Sequence, residues 1–330
     1  MAEAVGSSRL RLRRLSSAAP LAGLIAVAAL FSILSGNPER FLSAGNLRVV
    51  LAQTVIVALG GIGMTLIMIG GGIDLSVGAS IALTSVVTAL ALRGGWPAFT
   101  AALVGVATGG AVGLVNGAAI TGLRIVPFIA TLGMLGIARG AAKYFAGEQT
   151  VNPPPTGLNE LAVAFPARAW MLFAPGVWIT IALAAAMTLV LRGTIFGRHV
   201  FALGSNEAAA RACGIRIERL KLLIYGFAGL FFGLAGVMQM SRLRQGDPTV
   251  AIGVELDVIA AVVIGGGSLS GGDGSVPGAM VGALIMSLLR NGCQQMGWPT
   301  YVQEIIIGVI IVFAMALDRW RRSRAEALNT

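Results

Sequence analysis

Charge is scarce in this chain. Asp, Glu, Lys and Arg supply 12% of its 330 residues, against about 25% in an ordinary soluble domain. With 56% of the residues hydrophobic, that scarcity excludes a conventional soluble fold, because a core of this size cannot hide so much apolar surface. Lysine is rarer still. Lys143 is followed by Tyr144 and Lys221 by Leu222, so neither completes the Gly-x4-Gly-Lys-Ser/Thr loop that cradles nucleotide phosphates. The two cysteines, Cys213 and Cys293, form no CxxC pair, which argues against a disulfide framework or a zinc site. His199 is the single histidine and lies in a basic loop. With no His–Asp–Ser grouping and no acid pair beside a metal-binding histidine, an enzyme is not expected, nor is a metal or cofactor on this chain.

Glycine and long uncharged runs are what the sequence has in plenty. Its 46 glycines suit membrane helices, whose backbones approach closely at small residues. The net charge of +10 does not point to nucleic acid, because phosphate binding needs a solvated basic face and the basic residues here fall between apolar runs. Charge-poor windows at 18–36, 47–69, 74–92, 98–121, 126–146, 173–191, 221–242, 256–268, 275–292 and 302–318 are candidate spans, set against the roughly 20 apolar residues a crossing needs. The eighth is short and ends on Gly265–Gly267, as a partial or broken helix would. The basic tracts at Arg9–Arg14, 192–221 and Arg319–Arg324 then share one side, which the positive-inside rule makes the cytoplasm. The expectation is an all-α, polytopic membrane protein of about ten transmembrane helices, with both termini inside. It forms a single transmembrane domain with tails at 1–17 and 319–330. The first span, which imitates a signal peptide, reads as an uncleaved anchor.

Two loops are long enough to hold structure. The outward one, 147–172, carries Pro153, Pro154, Pro155 and Pro166 and is stiff. The inward one, 192–220, predicts a short helix outside the membrane. Ser205 or Asn206 caps it, Glu207 suits the helix dipole, Ala208 to Ala210 favour the helix, and Gly214 ends it. Such a smooth helix suits a groove on another protein; the alternative is a solvated connector.

Asp74 is the only acidic residue between Glu39 and Glu148, and an ionisable group among spans marks function by default. Either Asp74 and Ser76 lie near a translocation path, or Asp74 caps the third helix at the cytoplasmic surface. Thr65, Asn116, Thr131 and Gln53 either line such a path or join helices. Gly109, Gly113 and Gly117 have the spacing of helix packing, as do Gly278 and Gly282. Asp257 reads as a helix cap, while Glu255 and the stretch Arg242 to Asp247 are candidate outer docking residues.

Four stretches resemble one family. They are Gly197-Arg-x5-Gly-x-Asn-x2-Ala-Ala-Arg-x2-Gly-Ile215, Gly71-Gly-Ile-Asp-Leu-Ser-Val-Gly78, Val126-Pro-Phe-Ile-Ala-Thr-Leu-Gly133, and Glu255 to Gly272 followed by Asn291-Gly292. Together, over roughly 45–318, they are similar to permease subunits of sugar ABC importers of the ribose-type branch. The resemblance implies a bacterial inner-membrane subunit paired with a second permease copy or homologue. It further implies cytoplasmic ATP-binding subunits that hold ATP and Mg, and a periplasmic or lipid-anchored sugar-binding protein. It places the ATPase contact on Gly197, Arg198, Gly204, Asn206, Glu207, Ala208, Ala209, Arg211 and Gly214. An ion-coupled carrier for a small polar solute is the rival reading.

Overall fold

The computed structural model describes residues 20–165 and 171–327; the N-terminal basic tract and Pro166 fall outside them. The chain folds into α1 (Pro20–Leu34), α2 (Pro38–Phe41), α3 (Ala44–Ile69), α4 (Val77–Arg93), α5 (Ala98–Gly122) and α6 (Pro127–Ala146). After a 3-10 turn at Gly157–Glu160 come α7 (Pro175–Gly193), α8 (Ile195–Ser205), α9 (Glu207–Ala212), α10 (Ile217–Leu243), α11 (Val254–Ile264), α12 (Val276–Gln295) and α13 (Thr300–Ala327). Among the described residues the sole β-type pairing is an isolated bridge between Val151 and Gly246. Each candidate window falls on a helix. Five of these helices are long and apolar enough to cross a membrane: α3, α5, α7, α10 and α12.

The helix ends follow from local chemistry. Ser43 and Ser275 accept amide hydrogen bonds from Asn46 and Gly278 and so cap α3 and α12. Pro127 and Pro175 open α6 and α7, where a missing N–H costs nothing. Gly147, at φ +63°, closes α6 in the left-handed conformation that glycine tolerates best.

α3 is the axis of the subunit, with 89% of its most apolar stretch buried. α10 crosses α5 through Gly109 and Gly113 on one side and Gly229 and Gly233 on the other. A methyl group on any of the four would run into the opposing backbone, so contact this close requires glycine. Gly278 and Gly282 of α12 press in the same way on Gly265 and Ala261 at the end of α11. Of these five, α5 and α7 are the least buried, at 28% and 33% over their apolar windows, and exposed side chains such as Phe99, Leu103 and Leu189 suit lipid.

Two breaks interrupt the helical pattern. Residues 70–76 turn back from the end of α3, and α4 then begins with Val77 beside Gly60. Gly60 lies nine residues up α3 from Ile69, about 14 Å at 1.5 Å per residue. Residues 244–253 do the reverse from the end of α10. They pass Ser85 and Ala89 at Gly246 and reach Gly78 at Ala251. α11, which follows, has 11 residues. It rises about 16 Å, roughly half the 30 Å hydrocarbon core, as the partial eighth span predicts. The chain thus turns back after α3 and again after α10, and the starts of α4 and α11 meet at Gly78 and Glu255.

Candidate functional site

The segment 192–220 holds more structure than a short helix. Thr194 accepts the Gly197 amide at 3.2 Å and starts α8. Gly197 lies so close to the Leu191 backbone that no Cβ fits. Asn206 then caps α9 by accepting the Ala209 amide at 2.9 Å, and Gly214, at φ +84°, follows the helix end. Arg198, Asn206, Glu207, Ala208, Ala209, Arg211 and Gly214 are all exposed, while Ala210 is buried beneath them. Lys221 bonds Glu207 at 2.8 Å and Arg211 bonds Glu218 at 2.6 Å, which ties α9 to the start of α10. The second bond raises the Arg211 pKa further, so Arg211 remains cationic.

The base of this segment is clamped to the spans. Gly204 packs on the backbone of Ile69, at the end of α3, and on that of Gly272. The Gly272 amide in turn donates to the Ile69 carbonyl at 2.9 Å. Gly71 completes the contact against Gly204 and Gly271. A cleft of about 400 Å³ runs beside α9, lined by Arg124, Glu207, Arg211, Glu218 and Lys221 among others.

Asp74 is 1% exposed. Its Oδ1 accepts from the Ser76 amide (2.7 Å) and hydroxyl (2.6 Å), and its Oδ2 from the Asn116 amide at 3.2 Å. Asn116 also donates to Ser76 at 3.0 Å. Thr131 on α6 accepts the Leu75 amide at 3.2 Å and its hydroxyl reaches the Ile73 carbonyl at 3.3 Å. The Tyr225 ring lies under Gly72. Asp74 therefore braces the start of α4 with a local turn, as a cap does, but it does so inside the bundle. Asn116, its partner, stands six residues from the end of α5, about 9 Å deep. Thr65 lies apart from this cluster and donates within α3 to the Gly61 carbonyl at 2.6 Å. Gln53, in the first half of α3, is partly exposed.

At the opposite end, Asp247 accepts from the Thr249 amide and hydroxyl, both at 2.7 Å. Glu255 turns inward. It accepts the Gly253 amide at 3.2 Å and packs against Gly78. Asp257, in the first turn of α11, pairs with Arg290 of α12 at 2.6 Å. Arg139 of α6 donates to the Pro248 and Val250 carbonyls at 2.9 and 2.6 Å. Reading the sequence alone misses α8, Tyr225 and the bracing roles of Arg139 and Arg290. The two arginines do carry a signal, since each interrupts an apolar window.

Comparison with known proteins follows these lines. The family model described as "Branched-chain amino acid transport system / permease component" matches residues 46–315. The ribose import permease protein RbsC of Escherichia coli is 39% identical over 301 residues, covering 89% of this chain and 92% of its own. The fructose import permease protein FrcC of Rhizobium meliloti is 32% identical over 314 residues, covering 94% and 87%. The L-arabinose ABC transporter permease protein AraH of Azospirillum brasilense is 33% identical over 306, covering 91% and 87%. No solved structure matches.

Proposed function

This chain belongs to the family of membrane permease components of binding-protein-dependent transport systems, and from that premise we propose that it is the membrane subunit of an ATP-driven sugar importer. The family description speaks of branched-chain amino acids. The relatives at 32–39% identity over nearly the whole chain are named for ribose, fructose and L-arabinose, and they favour a monosaccharide. The protein resides in the bacterial cell membrane.

The observation that carries the mechanism is the clamp between Gly204 and Ile69. It joins an exposed helix, smooth enough to enter a groove, to the end of the most buried span. In our reading α8 and α9 face the cytoplasm and dock on an ATPase subunit that holds ATP and Mg. Movement there passes into α3 and switches which side of the path is open. Ten crossings with both termini inside fit the placement of the basic tracts. The single transmembrane domain works beside a second permease copy or homologue. A periplasmic or lipid-anchored sugar-binding protein docks on the outer face around Asp247, with Glu255 supporting that surface from behind. Asp74, Ser76, Asn116 and Thr131 shape the wall of the path by fixing α4, α5 and α6 to one another, and Thr65 of α3 is a further residue of the path.

The test is the pair Arg198→Glu and Asn206→Ala. Both should reduce co-purification of the ATPase subunit and ATP-dependent sugar uptake together. Unchanged binding and uptake in both variants would reject the docking assignment.

A further inference from the structure

The two breaks in the helical pattern share one attachment. α6 meets the inner break through Thr131, whose hydroxyl accepts the Leu75 amide and reaches the Ile73 carbonyl. It meets the outer break through Arg139, whose Nη1 donates to the Pro248 and Val250 carbonyls. The two residues are eight apart on one helix, about 12 Å along its axis.

An arginine within a span is costly and persists where it holds something. Here it satisfies two backbone carbonyls that the break leaves outside any helix. Between these two bonds α6 packs on α4, with Met134, Ala138 and Ala142 set against Ala79, Ala82 and Leu83, while its other face is open. Its buried residues are Thr131, Met134, Ala138 and Ala142, and Gly133, Gly136 and Gly140 have no other atom near the position of a Cβ. The inner break is itself pressed against the coupling segment through Gly71 and Gly204.

We propose that α6 is the strut through which the coupling segment controls the outer face, and that Arg139 is the positioning residue that makes residues 248–250 follow it. The proposal rests on the permease reading and adds a route across the membrane. A lysine at 139 keeps the charge, but its compact, strongly hydrated ammonium sits on a shorter side chain than the Nη1 that makes both bonds, so it should transmit only in part.

The experiment uses the full complex with its ATPase subunits and sugar-binding protein. Arg139→Gln should retain co-purification of the ATPase subunits and basal ATP hydrolysis. Its uptake and binding-protein-stimulated hydrolysis should fall about tenfold or more, the scale of a lost charged hydrogen-bond pair, and Arg139→Lys should recover part of both. The second readout places a cysteine at the exposed Thr249 (Thr249→Cys) and labels it with a membrane-impermeant maleimide in right-side-out vesicles. With Arg139 present, the labelling rate should differ between the nucleotide-free and ATP–vanadate-trapped states. With Gln it should be the same in both. Normal stimulation in Arg139→Gln overturns the proposal, and so does labelling at 249 that still follows the nucleotide state. If Arg139→Gln fails to assemble, Arg139→Lys decides, because state-dependent labelling equal to that of the parent overturns the proposal. Failure of the parent complex to bind its ATPase subunits would instead reject the permease reading.

Discussion

Gly204 and Ile69 meet backbone to backbone: a methyl group on Gly204 would run into the Ile69 carbonyl. The same carbonyl accepts the Gly272 amide, so α8, the end of α3 and the loop after α11 share one junction. Gly204→Val should separate them while leaving α9 free to dock. The expected result is an ATPase subunit that still co-purifies, with hydrolysis no longer stimulated by the sugar-binding protein. Stimulation equal to that of the parent would show that this junction does not transmit.

Asn206 acts earlier in the same chain of events. Its side chain holds the first turn of α9, and loss of such a cap costs about 0.5–2 kcal/mol. Asn206→Ala should weaken ATPase-subunit binding by roughly two- to thirtyfold, the same range converted at 1.4 kcal/mol per decade. Asn206→Ser or Asn206→Asp, which keep a capping oxygen, should restore most of it. Titration of the purified permease with ATPase subunit measures both effects.

Asp74 separates an ATP-driven pump from an ion-coupled carrier. The Asn116 amide now donates to it, and Asn116 Oδ1 has no protein partner. In Asp74→Asn a turned Asn116 can accept from the new amide, whose own carbonyl oxygen can still accept from Ser76. ATP-dependent uptake should therefore survive in Asp74→Asn. Asp74→Ala strands buried donors at about 1–3 kcal/mol each and should lower the amount of folded protein in the membrane. Well-assembled Asp74→Asn protein with no uptake would favour proton coupling.

The Asp257–Arg290 pair predicts an asymmetry in stability. Asp257 is 1% exposed and Arg290 is its ion-pair partner. Arg290→Met alone leaves a buried carboxylate unpaired, at a cost of about 3–5 kcal/mol. Adding Asp257→Leu should recover most of that loss. Thermal unfolding in detergent of both single variants and the double variant checks this; a double variant less stable than either single would refute it.

The spans were legible because hydrophobic runs and glycine end signals are local properties. The windows fall on helices whose ends differ from them by a few residues, except that α13 continues through most of the expected tail to Ala327, and Asn206 and Gly214 bound α9 as their chemistry predicts. Depth was not legible. Asp74 looks like a surface cap because the window places the end of a span there, yet segment 70–76 turns back and carries it inside beside Asn116. α8 is hidden in the sequence for a related reason. Gly197 and Gly204 weaken its intrinsic helix propensity, and what makes them necessary is contact with Leu191 and Ile69, which only the fold supplies. Glu255 opens a span in the sequence; only the fold shows that it packs against Gly78.

The most direct test of the central claim is sugar uptake into proteoliposomes, with and without the ATPase subunits and the sugar-binding protein. The account predicts ribose or related sugar uptake only when both partners and ATP are present, undiminished by an uncoupler. Uptake by this chain alone that collapses with an uncoupler would contradict it.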